Sequence, residues 1–487
     1  MKQKAPSILS RRQFIRQAAC AALGTGALTS AIRDLRFMNA AVAQAAVTDY
    51  KALVCVFLAG GNDSNNLIVP TIASEYADYS GIRTNVLALP LSGAENVVIP
   101  LTPLSSDGHD YGLHPACPEL ATLFQEGKLA MLFNTGTLLY PMTRVQYQSG
   151  ILERPAQLFS HADQVTQWQT SIPDRPPLTG WGGRCADLLA ATQPDAPISL
   201  CVTLSGANTF EVGNIVSQYS VTTSGAMNLS SVSGARLQTL TNILALPYPN
   251  LQTRAYANIG QHAIQTGGML NAAITATADP TYWTVPFPTT VTSPTGGTQF
   301  NSQLSSQLRM IARLIEAGNR DAANGGFGMK RQIFFCEVGG YDLHSGQTPG
   351  PGQSTIGSHA NLLAELSQGL FTFQRAIEQL GLSSNVTTFT ASDFGRTLPC
   401  NGDGSDHGWG SHHLILGGAV NGQRTYGRFP TLAVNGPDDT DTGRWIPSTS
   451  IDQYFATLAS WFGVDSGNLP NVFPNLGRFA TPNLGFV

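Results

Sequence analysis

Charge is scarce in this chain. Lys, Arg, Asp and Glu make up 12% of its 487 residues, about half the usual ~25%. The formal net charge is −4 and no basic stripe is present, which excludes a protein that grips a nucleic-acid backbone. Beyond the N-terminal region no run is apolar enough over the ~20 residues needed to span a bilayer. The seven cysteines form no CxxC pair, so a thiolate zinc knuckle is excluded. Internal repeats are missing as well. Glycine, by contrast, is abundant, with 50 residues.

The N-terminus reads as an address. Lys2 and Lys4 precede SRRQFIR (10–16), in which Arg11 and Arg12 are adjacent. A weakly apolar run follows (18–32), then small residues at Ala41, Ala43 and Ala45. This pattern resembles a twin-arginine export signal over residues 1–45. It implies a periplasmic or extracellular protein that crosses the membrane folded, which suits one that acquires a metal before export.

The remaining length is compatible with one large α/β domain carrying insertions, or with two domains. ALVCVFLA (52–59) is a continuous apolar run of strand length ending at Gly60-Gly61, as buried parallel strands read. LAMLF (129–133), PISLCVTL (197–204), RQIFFCEV (331–338), VTTFTAS (386–392) and HLILGGAV (413–420) repeat that pattern. Helical stripes lie between them, notably 304–318, 358–380 (capped by Ser358 and ended by Gly381) and 451–462. The alternation predicts an α/β fold with a doubly wound, mostly parallel sheet, formed by 46–204 and 301–487. Residues 205–300 differ. Within 201–300 the only charges are Glu211, Arg236, Arg254 and Asp279, and this segment is expected to be an inserted, mostly helical cap.

Polar clusters follow the strands, where α/β folds place ligands. Asn62, Asp63 and Ser64 follow the first. GGYDLHSGQ (339–347) carries Asp342 and His344, two apart and on one face if extended; such a pair binds zinc or manganese, or acts as a base with its orienting partner. ASDFGRT (391–397) places Asp393 at a strand end and leaves Arg396 to hold an anion or to pair with Asp393. GSDHGWGSHH (404–413) packs three of the nine histidines into ten residues. His407 is its best ligand candidate, because adjacent His412 and His413 point opposite ways in a strand. In LFSHADQ (158–164), Ser160 and His161 start a helix, where free amides favour an anion. His109 and His114 read as surface loop residues.

These blocks in this order resemble the domain-of-unknown-function family 1501: VFLAGGND, KLAMLFNTG, FSHADQ, LRMIARLIEAG, GGYDLHSGQ, ASDFGRT and SDHGWGSHHLILGGAV. More distantly, that family is similar to the alkaline phosphatase and sulfatase superfamily of doubly wound α/β proteins. The resemblance implies metal ligands at Asp63, Asp342, His344, Asp393 and His407, and a nucleophile at Ser160 beside His161. Position 394 is Phe where that superfamily has a His, so one ligand of a second metal is missing, and the expectation is one divalent metal (zinc, manganese or calcium) or none.

Two functions are therefore expected of such a chain. One is an exported, metal-dependent hydrolase of phosphate or sulfate esters, acting on a small anionic ester or polymer, with Ser160, His161 and Arg396 as catalytic residues. The other is a non-catalytic periplasmic or cell-surface protein on the same scaffold that binds a polymer, a surface component or a partner through the 205–300 cap.

Overall fold

A computed structural model describes Gln44 and residues 47–487, apart from 94, 227–228, 230, 277–285 and 297–298. The export signal expected over 1–45 lies outside the described residues, except for Gln44. Ten strands form the central sheet: β1 (Lys51–Leu58), β2 (Leu129–Gly136), β3 (Cys201–Thr203), β4 (Tyr219–Thr222), β5 (Gly225–Ala226), β6 (Arg331–Val338), β7 (Val386–Ser392), β8 (Ser411–Leu416), β9 (Arg424–Tyr426) and β10 (Thr449–Ser450). Their order is β9-β2-β8-β7-β1-β6-β3-β4-β5, with β10 also paired to β2. β1 is flanked by parallel neighbours on both sides, Leu53 standing opposite Ile333 and Thr387. β8 runs antiparallel between β7 and β2, and β5 antiparallel to β4. The protein is thus α/β, with a mixed, mostly parallel sheet.

The apolar runs form the central strands because both faces are covered. Ala52 to Leu58 are all buried, and each large apolar side chain so buried contributes about 1.5–3 kcal/mol. On one face lie the helices His161–Thr170, Trp181–Ala190 and Ile451–Phe462. Trp181 stacks on Phe455 with centroids 4.5 Å apart and meets Phe389 of β7. On the other face, Gln303–Asn319 packs on Ser358–Gln379, whose Ser367 bonds Glu119 of the helix Pro118–Gln125. Gly357, at φ 105°, holds the N-cap position of Ser358–Gln379, so Ser358 is the first helical residue and not its cap. The 205–300 segment contributes two helices, Gly234–Leu244 and Leu251–Ala276, and also β4 and β5 at the sheet edge.

The antiparallel turn of β8 decides where the site lies. The chain leaves the C-terminal end of β7, makes an excursion over 393–410, and re-enters the sheet at the same edge. That edge also carries the C-terminal ends of β1, β2 and β6. Among the described residues no helix is long and apolar enough to cross a membrane.

Candidate metal and catalytic site

Two glycines bring the loop after β1 against its neighbours. A Cβ at Gly60 (φ 116°) would collide with the backbone nitrogen of Asp342, and one at Gly61 (φ 83°) would lie 2.6 Å from the Phe394 ring. The excursion after β7 folds into a hairpin: Gly408 donates to the Gly395 carbonyl (2.7 Å), Thr397 donates to the Asp406 carbonyl (2.9 Å), and Arg396 pairs with His407. The hairpin leans on the loop after β6 through Ser405 N to Leu343 O (3.1 Å) and Gln347 N to Asp403 O (3.0 Å). These contacts carry Asp342, His344 and His407 to one point, where the start of the helix His161–Thr170 arrives from beyond β2.

Three imidazoles meet there, and each has its Nδ1 engaged by an oxygen. His161 Nδ1 lies 2.6 Å from Asp393 Oδ2, His344 Nδ1 2.9 Å from Asp406 Oδ1, and His407 Nδ1 2.8 Å from the Phe159 carbonyl. A carboxylate or a carbonyl only accepts, so Nδ1 carries the hydrogen in each ring and Nε2 presents a lone pair. All three Nε2 atoms face Asp342, at 3.5 Å (His161, to Oδ2), 3.4 Å (His344, to Oδ1) and 3.5 Å (His407, to Oδ1). His161 Nε2 is buried without a hydrogen-bond partner.

These observations fit a metal. Donor atoms of His161, Asp342 and His407 lie within 4.8 Å of one another, and among the described residues this is the one such group. His161 and His407 face different oxygens of Asp342, each at 3.5 Å, so the carboxylate bridges the two imidazoles. An oxygen behind each imidazole is the usual support of a ligating histidine. His344 touches the group from the side of Asp342 and His407, and its side chain is 45% exposed against 19% for His407.

Electrostatics follow from the neighbours. Burial raises the Asp342 carboxyl, but Arg396, 2.5 Å away, outweighs it, and the net pKa is lowered. Asp406 is likewise raised by burial and lowered overall by the bonds from His344 and Asn401. Burial lowers His407, and the Arg396 and His161 charges lower it further, against the Phe159 bond. The imidazole of His407 is thus biased toward its neutral, ligating form.

Other expected site residues hold different places. Asp63 does not join the cluster. It is buried in a bidentate pair with Arg83 (2.7 and 2.5 Å) and accepts from Gln347 (2.5 Å). Asp393 stands behind His161, its Oδ1 accepting from Gly60 N (2.9 Å), so it orients a donor and is not one itself. Arg396 is fully buried and donates to the Gly60, Gly61, Tyr341 and Ser405 carbonyls and to Asp342. Its role is to position Asp342. Ser160 stands at the N-cap position of its helix without a capping bond from its side chain, because its hydroxyl donates to Asp163 at 2.6 Å. His412 and His413 are core residues on β8, against Phe133 and Trp168 respectively, and burial pushes both down to about 3. His114, expected at the surface, is buried and packs edge-on against His359. Asp406 and the Phe159 carbonyl went unassigned in the sequence; an Asp next to His407 was the one available signal.

Phe394 floors the site, with centroids 4.8 Å from His161 and 4.5 Å from His407.

Comparison with solved structures gives remote likenesses. A structure described as Ps i-CgsB in complex with k-i-k-neocarrahexaose is similar at 9% identity and TM-score 0.34, over 89% of this chain and 78% of that one. PsFucS1 sulfatase from Pseudoalteromonas sp. is similar at 11% identity and TM-score 0.32, over 91% and 72%. No curated protein matches the chain. Residues 289–469, which contain Asp342, His344, Asp393, Arg396 and His407, match the family described as "Protein of unknown function (DUF1501)".

Proposed function

We propose that this protein is an exported, metal-dependent hydrolase of phosphate or sulfate esters. The observation that carries the reading is the set of three imidazoles, each tied back through Nδ1, whose Nε2 lone pairs face one carboxylate at a solvent-open sheet edge. His161, Asp342 and His407 would hold the ion, and their nitrogen-rich set suits zinc rather than calcium, which takes oxygen ligands. The ion supplies Lewis-acid polarisation of the ester oxygen and a more acidic water.

The chain's own residues do the rest. Hydrolysis forms a bond from the water oxygen to phosphorus or sulfur and breaks the bond to the ester oxygen, which leaves with a proton. His344, exposed at the mouth and backed by Asp406, takes the water proton at Nε2 and returns it to the leaving oxygen. Asp393 holds His161 in the ligating tautomer, Arg396 fixes Asp342, and Phe394 keeps water from below. The Ser160 hydroxyl is held by Asp163, so water is the nucleophile this arrangement supports best; retained turnover in Ser160→Ala checks that assignment.

The test is metal analysis of protein from a metal-replete culture, with a screen of aryl phosphates and aryl sulfates. Stoichiometric metal and turnover, both lost in His407→Ala, are expected. A metal-free, inactive wild type would overturn the reading. Export is tested by cell fractionation, in which Arg11→Lys with Arg12→Lys should strand the protein in the cytoplasm.

A second reading, binding of a protein partner through the 205–300 segment, is favoured by its exposed apolar side chains. Ile215, Leu251, Tyr256 and Ile259 are 66–77% exposed in a segment nearly without charge. A pull-down that survives His407→Ala but fails after Tyr256→Ser with Ile259→Ser would support it.

A further inference from the structure

We infer that Arg444 is the residue that receives the anionic group of the substrate. The inference rests on the ester-hydrolase reading and adds the group that would select an anion.

Two arginines touch the cluster, and they differ in what they have left to offer. Arg396 is fully buried, and all three of its nitrogens already donate within the protein. Arg444 is 26% exposed at its side chain. Its Nε donates to the His407 carbonyl at 2.8 Å, and its guanidinium lies 4.4 Å from the centroid of Phe159. That phenylalanine's carbonyl holds His407 Nδ1, so Arg444 braces both partners of the bond that orients a metal ligand. Among the described residues neither terminal nitrogen makes a hydrogen bond. The nearest carboxylate, Asp441, lies 3.9 Å from Nη1 and is 63% exposed, a weak surface pairing that an incoming anion displaces readily.

The support beneath Arg444 is firm. Asp439 Oδ1 accepts from the backbone nitrogens of Asp441 (3.1 Å), Gly443 (2.8 Å) and Arg444 (2.9 Å). The next residue, Trp445, is buried and bonds Asn65 at 2.8 Å. A guanidinium held through Nε and an aromatic face, with both terminal nitrogens free of hydrogen bonds, presents a planar fork matched to two oxygens of a sulfate or phosphate. It stands beside a cluster whose carboxylates, Asp342, Asp393 and Asp406, would repel an anion, and whose other guanidinium, Arg396, is already fully engaged.

The experiment titrates inorganic sulfate and inorganic phosphate by calorimetry into the metal-loaded full chain, in wild type, Arg444→Met, Arg444→Lys and Asp441→Asn, with KM and kcat for an aryl ester alongside. Arg444→Met should keep its metal, weaken the better anion at least about tenfold and raise KM with kcat within about threefold of wild type. Arg444→Lys should recover part of the binding. Asp441→Asn, on an exposed side chain, should tighten the anion about threefold, as loss of a weak competing pair predicts. Anion affinity unchanged in both Arg444→Met and Asp441→Asn would overturn the inference and leave the hydrolase reading standing. Loss of metal in Arg444→Met would also overturn it, making Arg444 a strut for His407. A metal-loaded wild type that binds neither anion and turns over no ester would fail at the level of the hydrolase reading itself.

Discussion

Nε2 of His344 lies 2.8 Å from Nε2 of His407, and both rings carry their hydrogen on the other nitrogen, held by Asp406 and by the Phe159 carbonyl. Two lone pairs at that separation repel. The pair is stable only when a proton or a cation lies against it, so proton and metal compete for one place, the Nε2 lone pair of His407, and a metal seated there leaves His344 Nε2 to act as the base. Because His407 is lowered from its ordinary value of 6.5, zinc affinity should rise with pH on the acid side of that value, about tenfold per unit for each proton displaced. The lowered pKa of His407 favours the metal at neutral pH. Calorimetry in two buffers of different ionisation enthalpy measures the protons released; an affinity flat across that range would contradict the shared place.

Asp393 is predicted to control metal binding without touching the metal. Its Oδ1 is occupied by Gly60 N and its Oδ2 by His161 Nδ1. Asp393→Asn keeps the first bond but can offer the amide to His161, which moves the ring hydrogen to Nε2 and removes the lone pair. Metal affinity should fall about 10–100-fold with little change in thermal midpoint. Metal titration of the variant checks it, and wild-type affinity would mean that His161 is not a ligand.

What the sequence revealed of this site, and what it hid, has a physical pattern. β1, β6 and β7 were legible because strands covered on both faces must be apolar throughout, and the polar residues just past them mark the sheet edge. Asp342, His344 and His407 followed from that edge. His161 was visible only as a helix-start histidine, because the elements that carry it to Asp393 are 232 residues apart in sequence. Asp63 looked identical to the others on paper. Its role was decided by Arg83, on the helix Ala73–Leu87, a buried cation that no periodicity in its surroundings announced. His412 and His413 show the converse: imidazoles can serve as flat packing groups among aromatics, and composition does not tell the two uses apart. The strands β4 and β5 were missed because four and two residues are too few to show an alternating pattern.

The Asp63–Arg83 pair yields a prediction that separates structure from catalysis. Burial raises the Asp63 carboxyl, but Arg83 and the bond from Gln347 hold it below its usual value. Asp63→Asn leaves the Arg83 guanidinium buried with its charge uncompensated, a change that costs about 3–5 kcal/mol. Chemical denaturation should show that loss, and the variant that remains folded should keep its metal. Stability near wild type together with loss of metal would place Asp63 back among the ligands.

Glu211 predicts how stability varies with pH far from the site. It is fully buried with Oε1 unpartnered, and burial raises its carboxyl from 4.5 to about 8, against the bond from Asn208. Below pH 4.5 the group is protonated in both the folded and the unfolded chain and contributes no pH dependence. Between about 4.5 and 8 the unfolded chain has lost this proton while the folded protein keeps it. The folded state then binds more protons, so this group makes stability fall as pH rises. Above about 8 both states are ionised and the penalty stays constant. Glu211→Gln removes the titration while preserving shape, so its thermal midpoint should match wild type near pH 5, exceed it at pH 8, and fall less steeply between them. Parallel melting profiles for the two proteins from pH 5 to 8 would show that Glu211 is ionised in the folded protein throughout.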